Sequence, residues 1–301
     1  MIDPEKRSGT TASDTASVGV MLENTLHDIG IPACPSILTQ IKCEMDKDEP
    51  DLRQLDRIIC SDVGLSAGLI AISNSPYFGN RRRVRSVKEA LQILGLGVAG
   101  RAVAGIALRN LFPATPQLER FWHASATVAR LSGWLAQNIE SSREVRSEDA
   151  YTFGLFRNCG MPVLMKRYGH TYDEVLKRAD EEKVLSFVKV EESKFPTNHA
   201  SVGALLSRNW WLPEEITLAI RHHHDHNMIT LVADFHSGSE AVGLIAIAQL
   251  AEHLLQYHQP GSSHNFEWAK MGPVALGALG ITPESVQDIY APSKAIASAT
   301  E

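Results

Sequence analysis

The fold is decided first by a helix that begins and ends within the stretch Ser86-Val87-Lys88-Glu89-Ala90-Leu91-Gln92-Ile93-Leu94-Gly95. The Ser86 side chain can accept a hydrogen bond from the backbone N–H three residues on, and Glu89 can reach back, which is capping-box spacing. Apolar residues follow the box closely enough to form one buried face. Gly95 is the expected end, because glycine is a poor residue for a helix interior.

Similar helical patterns lie on both sides of this stretch. We find no convincing β-type alternation longer than a few residues and no internal repeat, so the sequence predicts an all-α fold. Proline and acidic residues at Pro213-Glu214-Glu215 give a strong helix start, since acids stabilise the positive first turn. The other helices are predicted at about 35–46, 51–60, 63–73, 98–111, 118–139, 148–158, 161–168, 171–180, 184–193, 198–210, 213–224 and 239–258.

The chain is expected to divide into two packed helical lobes. The polar segment from Ser141 to Ser147 is the best internal seam. We predict a disordered tail at 1–16, an N-terminal lobe at 17–140, a second lobe at 147–260, and short helices with a tail at 261–301.

Composition excludes several function classes. Of 301 residues, 44% are hydrophobic and 21% charged, with a formal net charge of −6. That charge argues against a nucleic-acid or anionic-membrane binder. The four cysteines form no C-x-x-C pair, and neither a signal peptide nor a run of about 18 apolar residues is visible. We therefore expect a cytoplasmic protein with no nucleic-acid and no membrane partner.

The run Arg221-His222-His223-His224-Asp225-His226 is the richest concentration of metal-ligand chemistry in the chain. Consecutive helix residues point about 100° apart, so adjacent histidines on a helix should not all face one ion. On a helix only His222 with His226, or His223 with His226, shares a face. The run is therefore either a polar helix end or a source of one or two metal ligands.

A metal site would need ligands from other helices. His123 follows Phe121-Trp122 early in a long helix, His199 begins another, and Glu252 lies on a late one. A single helical histidine is more often a hydrogen-bonded structural residue than a ligand. These positions are candidates only in combination.

A second charged feature is the run of Arg81, Arg82, Arg83 and Arg85 in the loop before the capping box. Four arginines in five residues could contact phosphates or an acidic partner. The alternative is a solvated loop between helices, which suits a protein that is otherwise acidic.

Several segments together identify a family resemblance. They are Ile31–Pro35, Ile58–Leu65, Ile72–Gly79, Ser86–Leu96, Phe121–His123, Gly154–Gly160, Asn198–Leu206 and Ala219–Asp225. Over roughly residues 25–260 the chain resembles the HDOD domain, a divergent branch of the HD-domain phosphohydrolase superfamily found in bacterial signalling proteins. The resemblance implies a multi-helical, HD-like fold.

The same resemblance shows where this chain departs from the active superfamily. Active members hold metal with a His, a His-Asp pair within Gly-Leu-x-His-Asp-x-Gly, further histidines and a late Asp. In this chain the pair is replaced by Arg157 and Asn158, and Glu252 stands near the late Asp position. Arginine has no lone pair for a metal, and asparagine lacks the carboxylate charge. We therefore expect no catalytic residue and no metal cofactor, with a residual single ion on His123, His199 and His223 as the exception.

The resemblance thus favours a non-catalytic signal-transduction module. Its expected partners are signalling proteins, such as a response regulator or a cyclase, or a nucleotide or cyclic dinucleotide. The remnant of the HD pocket is the predicted ligand site, formed by His123, Arg157, Asn158, His199, His222, His223 and Glu252. Arg157 would either pair with a remnant acid such as Glu252 or Asp225, or bind a phosphate or carboxylate. The alternatives are a metal-dependent phosphohydrolase and a cyclic-dinucleotide receptor.

Overall fold

The computed structural model describes residues 30–78, 83–139, 145–232, 239–260 and 267–299. In these ranges the regular secondary structure is helical and no strand occurs, which confirms the predicted all-α class. The predicted tail at 1–16 lies outside the described residues, as do Arg81 and Arg82.

The described residues of the first half of the chain form five α-helices and a short 3-10 turn at Pro76–Phe78. The helices are α1 (Ser36–Met45), α2 (Leu52–Cys60), α3 (Val63–Ser73), α4 (Val87–Asn110) and α5 (Pro116–Asn138).

The second half carries the residues of the predicted site. Its helices are α6 (Ser147–Phe156), α7 (Gly160–Tyr168), α8 (His170–Glu181), α9 (Phe187–Glu192), α10 (His199–Asn209), α11 (Glu214–His222), α12 (His226–Val232), α13 (Ser239–His258), α14 (Glu267–Ala278) and α15 (Gln287–Ala297).

Side-chain caps begin helices where the sequence predicts them. Ser86 Oγ accepts a hydrogen bond from the Glu89 N–H at 3.2 Å, as the capping box requires. Glu89 Oε2 accepts from the Arg85 N–H at 2.7 Å, one residue earlier than in the standard box. Asn198 caps α10 in the same way by accepting from the Ser201 N–H at 2.8 Å. The cap on α10 fixes the first turn that carries His199.

Gly95 interrupts α4 with φ 72° and ψ 164°, a conformation that only glycine adopts readily. The predicted stop at this position is therefore correct, and a second helical stretch follows directly after the kink and continues to Asn110. By length and composition α4 is also the helix, among the described residues, that could cross a membrane. Half of its apolar window is buried within the protein, and the core helix of a soluble protein passes the same test.

Helices α5 and α13 form the centre of the packing. Helix α5 packs against α6, α13 and α15, while α13 also contacts α11, α14 and α6. The inner face of α13 is almost wholly buried and includes Leu244, Ile245, Ile247, Leu250 and Leu254. Each such side chain stabilises the fold by about 1.5–3 kcal/mol. The helices on either side of the predicted seam thus pack against each other, and the division into two lobes stays a prediction.

A glycine allows the close approach that positions the site. A Cβ on Gly160 would lie 2.1 Å from the His199 carbonyl oxygen and 2.7 Å from the Gly203 nitrogen. Only glycine fits at such a backbone contact. The start of α7 therefore lies directly against the first turn of α10, and the residues before Gly160 face those of α10.

Candidate functional site

The first component of the site is a buried ion pair between Arg157 and Glu252. Arg157 Nη1 lies 2.8 Å from Glu252 Oε2, and Nη2 lies 2.7 Å from Oε1, so the pair is bidentate. Their side chains are 7% and 10% exposed. Arg157 ends α6 and Glu252 projects from α13, so the pair joins two central helices. The guanidinium thus occupies the position at which the resemblance would place a metal ligand.

Asn158 links this ion pair to a second component. Its Oδ1 lies 3.0 Å from His223 Nε2. The other ring nitrogen of His223, Nδ1, lies 2.8 Å from the Ile220 carbonyl oxygen. Gln249 donates a hydrogen bond to the His223 carbonyl at 3.2 Å. His223 is therefore held by contacts from three sides.

The second component is a cluster of three histidines, which we call the histidine triad: His199, His223 and His224. One ring nitrogen of each lies within 4.8 Å of those of the other two. His199 Nε2 is 3.0 Å from His224 Nε2 and 3.3 Å from His223 Nε2. His199 and His223 are buried, and the His224 side chain is 7% exposed.

Carboxylates contact the Nδ1 atoms of two of the three rings, on the side that faces away from the other histidines. His199 Nδ1 lies 2.7 Å from Glu191 Oε2, and the His199 backbone N–H donates to the same oxygen at 3.0 Å. The other oxygen of Glu191 accepts from the Tyr172 hydroxyl at 2.5 Å. His224 Nδ1 lies 2.5 Å from Glu267 Oε1. Two of the three rings are therefore oriented by an acid.

Burial determines the ionisation of several groups in this region. It is the largest cause lowering the pKa of His223 well below the ordinary value, and the neighbouring rings of His224 and His199 add to the effect. His223 is therefore neutral near pH 7. Burial also raises the pKa of Tyr172 well above its ordinary value, with the charge of Glu191 as the second cause. The Tyr172 hydroxyl therefore keeps its proton and donates to Glu191.

The prediction that adjacent histidines of the run diverge is wrong for His223 and His224. Helix α11 ends at His222, and His223 and His224 lie in the turn that follows. Off the helix, consecutive side chains need not diverge by about 100°. The ring centroids of His223 and His224 lie 4.1 Å apart, and both face His199.

His222 is separated from the triad. Its side chain is 34% exposed, with Nδ1 3.6 Å from Asp225 Oδ2. It lines a different surface cavity with Ser201 and Arg221. His222 belongs to the exposed side of α11, although sequence reasoning placed it in the remnant pocket.

The remnant pocket itself is a cavity of about 700 Å³. It brings together His123, Arg157, Asn158 and Glu252, as the resemblance implies, and His123 is exposed within it. Other residues lining it include Arg120, Phe121, Met161, Met165 and Gln259. His199 and His223 lie beside this cavity and are connected to it through Asn158.

The residues predicted to surround the histidines are an incomplete set. Among the described residues, the histidines close enough to share an ion are those of the triad, so His224 takes the place given to His123. The hydrogen-bonding acids Glu191 and Glu267 were also missed. His224 could have been found by expecting the helix to end before it. No local signal in the sequence distinguishes these two buried acids from the exposed glutamates of the chain.

The arginine loop borders a separate cavity of about 830 Å³. Arg83 and Arg85 line it together with Arg130 of α5, Tyr151 of α6 and Ser75. The described residues that line it include no acid. An anionic group would fit the charge of this cavity, as the prediction that the arginines contact phosphates or an acidic partner requires.

The dinuclear hydrolytic centre that the resemblance implies for active relatives does not fit these residues. Arg157 offers no lone pair, and its two nitrogens already hold both oxygens of Glu252. Asn158 contributes a neutral oxygen, which is turned toward His223. The two residues at the His-Asp positions, Arg157 and Asn158, therefore bind Glu252 and His223 and not a metal ion.

Comparisons with solved structures agree on the fold. An HDOD domain protein of unknown function from Geobacter sulfurreducens is 21% identical, with a TM-score of 0.61, over 94% of this chain and 98% of its own. A protein from Marinobacter aquaeolei VT8, provisionally described as a signal transduction protein, is 19% identical with a TM-score of 0.63 over 97% and 66%. A protein from Shewanella amazonensis SB2B, provisionally described as a phosphohydrolase, is 16% identical with a TM-score of 0.62 over 92% and 96%. At these identities the likeness shows the fold alone.

Sequence comparison with one relative and one family model shows the family to which the chain belongs. An uncharacterized protein of Treponema pallidum is 25% identical over 216 residues, which are 71% of this chain and 41% of that protein. The chain thus spans about two fifths of the length of this relative. The family model for the HDOD domain matches residues 31–226, which is more than half of the chain. The chain therefore belongs to the HDOD domain family.

Proposed function

We propose that this chain is a non-catalytic regulatory module of signal transduction that acts by binding a partner protein or a small ligand. The observation that carries the proposal is the bidentate Arg157–Glu252 ion pair at the position of the superfamily's metal ligands. The provisional description of the Marinobacter aquaeolei structure as a signal transduction protein supports the same role.

The ion pair argues against hydrolysis for electrostatic reasons. With an effective dielectric of about 20, two unit charges at about 4 Å interact by roughly 4 kcal/mol, and a dication facing Arg157 would be repelled by about twice that. Glu252 offsets this repulsion only while it remains bound to the guanidinium. Hydrolytic metal centres also need an activated water and a base, and the amide of Asn158 cannot act as a base. Arg157 and Asn158 therefore do not supply the metal ligand and the carboxylate expected of the His-Asp pair, which supports the non-catalytic proposal.

The remnant pocket supports the binding role. Its volume of about 700 Å³ lies in the range of small-molecule sites. Apolar side chains such as Phe121 and Met165 line it beside polar groups of Arg120, His123 and Gln259. This mixture suits a small ligand with an apolar body and hydrogen-bonding edges, and a nucleotide is the first class to test.

The decisive experiment is an assay for phosphodiester hydrolysis by full-length, untagged protein. Bis(p-nitrophenyl) phosphate and cyclic dinucleotides would be incubated with Mn²⁺, Fe²⁺, Ni²⁺ or Zn²⁺. We expect turnover no greater than that of a heat-inactivated sample. Turnover that is abolished by Asn158→Ala would instead establish a phosphohydrolase, which is the class implied by the superfamily. As a test of the structural reasoning, Arg157→His with Asn158→Asp should raise metal affinity, because it removes the cation and restores a carboxylate.

A second candidate function is a cyclic-dinucleotide receptor, favoured by the arginine-lined cavity of about 830 Å³. Calorimetric titration should show binding of cyclic di-GMP or cyclic di-AMP that Arg83→Ala with Arg85→Ala weakens at least tenfold. Arg178→Ala, an exposed arginine on α8, is the matched control and should leave binding unchanged. Absence of heat with every nucleotide tested would remove this candidate.

A further inference from the structure

The turn that ends α10 contains a tryptophan at a position where glycine is usual. The Trp211 N–H donates to the Arg208 carbonyl at 3.1 Å. The Leu212 N–H donates to the Ser207 carbonyl at 3.0 Å, and the two bonds together form a Schellman motif. Trp211 has φ 57°, because the central residue of this motif must adopt the left-handed conformation.

The same motif follows α14, and there the central residue is glycine. The Gly280 N–H donates to the Gly277 carbonyl at 3.1 Å. The next N–H, of Ile281, donates to the Leu276 carbonyl at 3.0 Å. Gly280 has φ 61°, and among the residues that the structure describes only glycines share a positive φ with Trp211. A bulky side chain is disfavoured in this conformation, and such strain concentrates at functional positions.

The Trp211 side chain borders a cavity of about 190 Å³ and is 46% exposed. Lys42 Nζ lies 6.0 Å from the centroid of its ring, within the range of a cation–π contact. The cavity lies between α1, α4 and the turn before α11, and it shares no lining residue with the remnant pocket. Its apolar walls include Leu38, Ile41, Met45, Trp210 and Leu212.

The volume of this cavity limits what it can hold. An apolar cavity of ~150 Å³ is large enough for benzene. Sites for drug-sized molecules usually measure about 300–1,000 Å³. A cavity of about 190 Å³ therefore accepts one ring or one branched aliphatic group and is too small for a nucleotide.

Arg101 adds a polar group to this apolar site. Its Nε donates to Thr152 Oγ1 at 2.9 Å, and its Nη2 lies 3.1 Å from Asp149 Oδ1. Its Nη1 lies beside Gly97, since a Cβ on that glycine would be 3.5 Å away, and both residues line the cavity. Within the described part of the chain Nη1 has no hydrogen-bond acceptor, although the side chain is only 19% exposed. A guanidinium with a remaining donor favours a carboxylate.

We propose that this cavity binds a small compound that combines one apolar ring with a carboxylate. The ring fills the cavity and packs against the indole of Trp211, while the carboxylate accepts a hydrogen bond from Arg101 Nη1. Lys42 adds positive charge at the rim, because its pair with Asp46 is exposed and weak enough to be exchanged. The site goes beyond the proposed function, which depends on the remnant pocket and stands without it.

A titration of full-length, untagged protein with phenylacetate, followed by NMR of the ligand, tests the proposal. Benzyl alcohol has the ring without the charge, and acetate has the charge without the ring. We expect saturable binding of phenylacetate that is tighter than that of either control by roughly tenfold or more. No saturable binding of phenylacetate, or equal affinity for one of the controls, would overturn the proposal.

Trp211→Gly separates a binding role from a packing role. Affinity for phenylacetate should fall by roughly tenfold or more, because the ring loses its aromatic contact. The Tm should be equal to or above that of wild type, because glycine suits the left-handed turn. A lower Tm with unchanged affinity would mean that the indole only packs against the fold, and would overturn its assignment to the site.

Gly97→Val is the second variant and fills the cavity from α4. A Cβ at Gly97 makes only an ordinary contact, so the variant should fold. The matched control is Gly277→Val on α14, where a Cβ meets nothing within 4 Å. We expect loss of phenylacetate binding in Gly97→Val alone. Equal affinity in both variants would mean that the ligand binds elsewhere, and would overturn the site while leaving the proposed function standing.

Arg101→Lys tests how the carboxylate is recognised. The lysine keeps a cation opposite Asp149 but removes Nη1. The preference for phenylacetate over benzyl alcohol should therefore decrease, with less effect on the affinity for benzyl alcohol itself. An unchanged preference would contradict the role given to Arg101.

Discussion

Glu252→Gln is the sharpest test of the electrostatic reasoning about the site. The substitution keeps the size of the side chain but removes the charge that neutralises Arg157. Arg157 remains buried, since its side chain is only 7% exposed, and it cannot lose its proton at accessible pH. The variant therefore leaves a cation in the core with an amide in place of its bidentate carboxylate.

The expected magnitude follows from burial and geometry. Removing one partner of a buried ion pair typically costs about 3–5 kcal/mol, because the remaining charge stays desolvated. The contact distances of 2.7 and 2.8 Å and the bidentate geometry place this pair in that class. Such a loss corresponds to a decrease in Tm of roughly 6 °C or more. Replacing both partners, as Arg157→Met with Glu252→Gln, should recover part of the loss, because no charge is then left buried.

The assay is urea unfolding of both variants and wild type, followed by circular dichroism at pH 7. The control is Glu119→Gln, which breaks the Arg109–Glu119 pair, whose side chains are 43% and 46% exposed. Exposed pairs contribute about 0–1 kcal/mol, so this control should remain close to wild type. If Glu252→Gln loses no more stability than Glu119→Gln, the ion pair is not a buried structural replacement for the metal, and the proposed function loses its main support.

Three further predictions follow from the fold. Gly160→Ala should destabilise the protein by several kcal/mol or prevent folding, because its Cβ would lie 2.1 Å from a backbone oxygen of α10. The control is Gly277→Ala, whose Cβ would meet nothing within 4 Å and which should leave the Tm in thermal unfolding nearly unchanged. Burial raises the pKa of the Cys159 thiol to about 12. A thiol reagent at pH 8 should therefore modify the exposed Cys43 in native protein, and Cys159 only after denaturation. Rapid labelling of Cys159 in native protein would contradict its burial. Asn198→Ala removes the N-cap of α10 and should lower stability by about 1 kcal/mol in chemical denaturation. Asn198→Ser keeps a capping oxygen and should recover most of that loss, whereas Asn198→Asp would place a carboxylate where the amide now donates to Glu192 at 2.6 Å and should recover less.

Local sequence signals predicted the helices well, because each signal acts within a few residues. The capping residue at Ser86 and the break at Gly95 depend on backbone groups one turn away, and both occur as expected. The end of α11 was less predictable. The pattern of that helix continues through His224, whereas the structure ends it at His222. That difference of two residues changed which histidines could face the same point.

The sequence also predicted part of the candidate site, namely the two residues that replace the His-Asp pair. The substitutions at Arg157 and Asn158 are visible without coordinates, and the chemistry of arginine is enough to make a hydrolytic metal centre unexpected. The choice between Glu252 and Asp225 as the partner of Arg157 could not be made from spacing. The structure selects Glu252, because α13 packs across α6 and directs that carboxylate to the guanidinium.

The sequence by itself determined the helical class, the family resemblance and the loss of the His-Asp pair, since these depend on periodicity and on the identity of single residues. Only the tertiary structure decided that His199, His223 and His224 converge and that Glu191 and Glu267 hold them from behind. These contacts join residues from α9, α10, the turn after α11 and α14. Because they form only when separate helices pack together, no local pattern in the chain encodes them, and the run that resembled a polar helix end became part of a buried site.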